Sequence, residues 1–253
     1  MSEKYSSLLR FSNILAFVLT IIVNSLAGST TLIGGKVTAE ISDANFTLIT
    51  PAGYVFSIWG VIYVLLGIFV VYQALPSQKG KDFQNKIGWL FVLSSIINIV
   101  WLFVWQFEYL IFSVVLMFIL LATLIAIYLR LDIGKSNVDL SERIAVHLPF
   151  STYLGWITIA SIANVATTLV SINWDGFGLD PEIWALLIII IALLLSLTVI
   201  VTRRDIAYGL VIIWAFIGIS VAQTAQNIIT LTQISALIVL ITLVATIILQ
   251  KLR

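Results

Sequence analysis

Apolar residues in this chain gather into stretches of about twenty, and the polar ones collect between them. A helix of that length crosses the roughly 30 Å hydrocarbon layer of a bilayer. The first stretch runs from Phe11 to about Ile33, behind Lys4 and Arg10. A basic start followed by Ser25-Leu-Ala27 also fits a cleaved signal peptide, yet the apolar character continues past Ala27 and a spanning helix is the better reading. A polar loop, Gly34 to Pro51, comes next. Further helices are predicted over about Gly53–Leu75, Ile87–Phe107, Leu110–Leu129, Ala145–Val170, Ile183–Thr202, Ile206–Ala225 and Ser235–Leu249. Pro76 ends the second, and Pro149 falls in the first turn of the fifth, where its missing N–H costs little. Only Glu108 and Tyr109 separate the third from the fourth, which makes these two an antiparallel hairpin. The pattern predicts an all-α polytopic membrane bundle of about eight transmembrane helices.

Periodicity inside the runs assigns faces. On the second helix Gly53, Ser57, Gly60, Val64 and Gly67 form a strip of small residues suited to close helix packing. Phe56, Trp59 and Tyr63 form a second, aromatic strip, which periodicity alone leaves as lipid-facing bulk or one side of a pocket. Ser94, Asn98, Trp101 and Trp105 share a face of the third helix. Tyr153, Trp156, Ala160, Asn164, Thr167 and Ser171 share one of the fifth. An asparagine amide needs a partner in hydrocarbon, so both faces are expected to point into the bundle. Asn98 and Asn164 then serve either a ligand or neighbouring helices, and Trp105, near a helix end, suits an interfacial belt.

Composition agrees with the pattern: 61% of residues are hydrophobic, 10% are charged, and the mean hydropathy is +1.14. Twelve of the thirteen Lys and Arg fall in the termini and the even-numbered loops, with Lys36 the exception, so both termini are expected in the cytoplasm; the membrane expected to hold the chain is the plasma membrane. The net charge of +1 gives no support to a nucleic-acid partner. With no cysteine, disulfides, thiolate catalysis and Cys-based metal sites are excluded. No Asp, Glu, Lys or Arg lies in the middle of a run, which argues against ion-coupled transport. The single histidine, His147, reads as an interfacial side chain, and no metal site, nucleophile–base pair or required cofactor is visible. Gly28 to Lys36 superficially suggests a phosphate loop, but its glycine spacing is wrong and Val37 stands where Ser or Thr is needed.

Three motifs in order resemble the tryptophan-rich sensory protein, or translocator protein (TspO/MBR), family. Tyr54-Val-Phe56-Ser-Ile-Trp59-Gly-Val-Ile-Tyr63-Val-Leu-Leu-Gly67 is similar to the family's second helix, Asn98 and Trp101 to its third, and Tyr153-Leu-Gly-Trp156, Ala160 and Asn164 to its fifth. Departures are the absent proline before Trp59, one residue fewer between Phe56 and Trp59, Tyr54 in place of a tryptophan, and Pro149 four residues ahead of Tyr153. The similarity covers about Phe11 to Ser171, so the expected organisation is a TspO-like five-helix core, 1–171, followed by three further helices in 172–253.

The resemblance implies a receptor or sensor-like membrane protein. Its ligand would be apolar or amphipathic, a porphyrin or other tetrapyrrole or a sterol-like molecule, and transport of that ligand is a further consequence. The implied ligand-binding residues are Tyr54, Phe56, Trp59, Tyr63, Asn98, Trp101, Trp105, Tyr153, Trp156 and Asn164. Besides the ligand, membrane lipids and a second copy of the chain are the expected partners. Two other classes stay open: a membrane transport subunit or permease in which the aromatics only pack, and a membrane-embedded enzyme acting on a tetrapyrrole or lipid, for which no catalytic group is visible.

Overall fold

A computed structural model describes residues 3–251 of the chain. Arg253, one of the basic residues that set the expected orientation, lies outside the described residues, as do the side chains of Lys4 and Lys251. The eight long helices are α1 (Glu3–Ser29), α2 (Ile58–Ala74), α3 (Leu90–Gln106), α4 (Leu110–Leu131), α5 (Leu148–Ser171), α6 (Pro181–Arg203), α7 (Ile206–Ala222) and α8 (Gln226–Lys251), and the described residues contain no strand. Six spans are long and apolar enough to cross a membrane, α2 counting its leading 3-10 turn Gly53–Ser57. The two shorter ones, α3 and α7, have 17 residues each, at the lower limit of about 17 for a span.

Several boundaries differ from expectation: α1 starts eight residues early, at Glu3, and the third helix starts at Leu90 behind a separate short helix, Asp82–Ile87, while two further differences have a local reason in side-chain contacts. The polar first loop contains the short helix Thr38–Ala44, because Glu40 reaches back to the Val37 N–H at 2.9 Å and Ile41 has a core to enter. α8 begins nine residues early, at Gln226, because its amide side chains find partners: Asn227 donates to Glu182 at 2.8 Å and Gln226 to Thr230 at 3.2 Å.

Contacts between helices define a closed ring, α1–α3–α4–α5–α2 and back to α1. α7 packs on the outside of that ring against α5, and α6 and α8 pack around α7. As a result α5 is covered on nearly every side; from Pro149 to Ile157 all nine residues are buried. The helices alternate in direction, so the loops bearing the Lys and Arg clusters share one end, called here the basic end. There Arg203 pairs with Asp132 at 2.6 Å, tying the loop after α4 to the end of α6. Gly134, at φ +85°, comes so near this point that a Cβ on it would lie 1.8 Å from the Arg203 carbonyl oxygen. At the far end Lys36, the one basic residue off the basic side, forms an ion pair with Glu108.

The strip of small residues on the second helix is not the packing face. Gly53 and Gly60 have nothing within 4 Å of a Cβ position and Val64 is exposed; only Gly67 touches a neighbour, the Phe17 ring of α1. Spacing shows that a small-residue face exists, but the larger apolar set Ile62, Leu66, Phe69 and Val70 decides which way α2 turns.

Candidate functional site

The aromatic strip of α2 turns into the ring. Trp59 stacks on Tyr63 at 5.6 Å and meets Tyr153 and Trp156 of α5 edge-on at 6.0 and 6.2 Å, and Phe56 meets Trp156 edge-on at 6.0 Å. Such geometry suits the ring quadrupoles and adds attraction beyond burial alone. Across the ring Trp101 and Trp105 of α3 stack at 5.5 Å. Trp105 is no belt residue: it is 5% exposed, and its indole N–H donates to the Thr38 carbonyl at 3.3 Å.

Amide and hydroxyl groups brace these walls. Asn164 accepts from the Trp101 indole at 2.9 Å and donates to the Ser113 hydroxyl at 2.8 Å, joining α3, α4 and α5. Asn98 accepts from Asn24 of α1 at 2.8 Å. Gln106 donates to the Ala27 carbonyl at 2.8 Å and to the Thr38 hydroxyl at 3.1 Å, fixing the short loop helix over the end of the ring. Two buried polar atoms in the cluster have no hydrogen-bond partner, the Tyr63 hydroxyl and the Trp156 indole nitrogen, while the Asn98 amide lies against the Tyr153 hydroxyl.

Phe56, Trp59, Trp101, Trp105, Trp156 and Asn164 line one cavity of about 50 Å³, capped at the far end by Thr38, Ser42, Thr50 and Pro51 of the first loop. Tyr63 and Tyr153 lie behind Trp59, and Asn98 lies beside Tyr153. Tyr54 is elsewhere: half-exposed, it packs edge-on against Trp214 of α7 at 5.3 Å, because the 3-10 turn rotates it away from the strip that Phe56 and Trp59 follow. That volume is the size of a few water molecules, far below the ~300–1,000 Å³ of typical small-molecule sites.

A second polar cluster, at the basic end, has no counterpart among the residues expected from sequence. Asp205 is 6% exposed and accepts hydrogen bonds from Ser151 at 2.6 Å, Tyr128 at 2.9 Å and the Tyr208 N–H at 3.1 Å. Its signal was its place directly before an apolar helix, where Asp is a preferred N-cap. His147 is buried beside it, not interfacial, and the open space there, about 450 Å³, is also lined by Arg143 and Arg204. Among the described residues no cluster of His, Cys, Asp or Glu has the makeup of a metal site.

Against known proteins, the chain matches the family described as TSPO-like protein over residues 10–249, a span that includes α6, α7 and most of α8. No curated protein and no solved structure matches it.

Proposed function

Because this chain belongs to the TSPO-like protein family, we propose that it is a membrane receptor whose aromatic interior takes an apolar or amphipathic small molecule of the porphyrin or sterol-like class. One observation carries the reading. The Trp156 indole N–H, which lines the cavity, has no acceptor, and the Tyr63 hydroxyl directly behind Trp59 is likewise unpartnered. A buried donor without an acceptor costs about 1–3 kcal/mol, and packing gives nothing in return. A ligand with a flat apolar body and one or two acceptors recovers that cost while covering the rings, the usual division of labour in small-molecule sites. At about 50 Å³ the cavity has to widen to take such a ligand. In this reading the chain lies in the plasma membrane with its basic end and both termini in the cytoplasm.

The test is titration of the detergent-solubilised chain with a porphyrin, followed by tryptophan quenching, with flux into proteoliposomes read separately. Saturable one-to-one binding is expected, and Trp156→Phe, which keeps the ring and removes the N–H, should weaken it about tenfold, or ~1.4 kcal/mol. Quenching that never saturates, or that is the same in Trp156→Phe and Trp59→Ala, would leave these rings as packing.

A further inference from the structure

The aromatic cavity lies at the end of a series of spaces along the far half of α5. A groove of about 300 Å³ opens between the first loop, α5 and α6, with Phe46, Leu169, Trp174 and Trp184 on its sides. Inward from it lies a gap of about 20 Å³, and then the cavity of about 50 Å³. Ile49 and Ile188 line both the groove and the gap, while Ile159 and Ala163 line both the gap and the cavity. One layer of apolar side chain therefore parts each space from the next. Joined, they reach the lower end of the ~300–1,000 Å³ range of small-molecule sites.

The segment that carries Ile49 is held from outside the ring. Gln223, just past α7 and 6% exposed, donates to the carbonyls of Thr47 at 3.1 Å and Thr50 at 2.9 Å. The Ala52 N–H donates to the Gly218 carbonyl of α7 at 3.0 Å. Gly218 is glycine for a reason of space, since a Cβ there would stand 2.1 Å from a Val55 methyl.

We propose that the groove between the first loop and α6 is a second binding site, where an apolar ligand docks from the outer part of the bilayer. From there it passes beneath Ile49 into the aromatic cavity when the loop leaves Gln223. This rests on the ligand reading above. An apolar molecule is concentrated in lipid, and a lateral opening lined by Ile, Leu and Trp admits it without exposing it to water. The C-terminal helices thereby contribute to the route, with α6 forming one side of the groove and α7, through Gln223, holding its inner door.

A residue at a barrier changes arrival and departure by the same factor and leaves affinity alone, whereas a residue contacting the bound ligand changes affinity. The experiment is stopped-flow mixing of a porphyrin with the full chain in nanodiscs. Gln223→Ala, which removes two hydrogen bonds from the closed loop, should raise both rate constants about tenfold with Kd within about twofold. Ile49→Ala should act in the same direction. Ile188→Trp fills the groove from α6, leaves the hydrogen bonds of Gln223 to the loop in place, and should lower both rates by a similar factor. Saturable binding with rates indifferent to all three changes would overturn the groove as the way in. No saturable binding by the unaltered chain would overturn the receptor reading itself, and the groove with it.

Discussion

Replacing Asn164 with alanine removes two interhelical hydrogen bonds at once, the one accepted from Trp101 and the one donated to Ser113. Bonds of this kind inside membranes average about 0.6 kcal/mol each, with a ceiling near 1.7. The two together are worth about 1.2 kcal/mol. Trp101 has no other acceptor, so its buried N–H adds about 1 kcal/mol of desolvation, while Ser113 keeps its bond to the Leu110 carbonyl at 2.7 Å and adds little. The expected loss is about 2 kcal/mol, a thirtyfold fall in the folded-to-unfolded ratio. Reversible unfolding in mixed micelles, followed by circular dichroism, measures it. Trp101→Phe and the double variant complete a cycle, and because both single changes break the same bond, a coupling of about 1 kcal/mol is expected. Simple additivity would refute the brace. Both amide hydrogens already face oxygen, on Ser113 and Thr168, so porphyrin affinity of the folded variant should hold within about threefold; a large drop at unchanged stability would make Asn164 a ligand contact instead.

Other expectations follow from the two ends of the bundle. Reporters fused after Lys81 and Gly134 should read as cytoplasmic and one after Gly176 as external; the reverse pattern would refute the charge rule for this chain. Asp205→Ala orphans the Tyr128 and Ser151 hydroxyls and uncaps α7, for a loss of about 2–4 kcal/mol in the same unfolding assay, whereas Asp205→Asn should lose less because it still accepts. Gly134→Ala drives a Cβ into the Arg203 carbonyl oxygen and should cost about 1–3 kcal/mol; a neutral result would mean that this loop yields freely.

Hydropathy made the eight helices legible, because length and apolar content are properties of each run by itself. The inward faces of α3 and α5 were legible too, since Asn98 and Asn164 have no tolerable place against lipid. What failed needed knowledge of the neighbour. Gly53 and Gly60 form a smooth face whether or not a helix meets it, and here none does. Trp105 near a helix end looks the same as a belt residue until the short helix Thr38–Ala44 covers it. Tyr54 left the aromatic strip through a 3-10 turn that period counting cannot register. Asp205, assigned to a connection, was buried by three donors from elements up to 77 residues away.

The burial of α5 bears on how this chain is made. Of the six long spans, the one containing α5 is the least apolar, while α4 before it and α6 after it are the most apolar. Leaving the ribosome in order, α5 reaches the bilayer with Ser151 and Thr158 bare on the flank that α7 will cover, before α7 has been synthesised. The ring helices already inserted can shelter only the other flank. The strongly apolar α6 then anchors the nascent chain until α7 arrives, so the hardest insertion is bracketed by the two easiest.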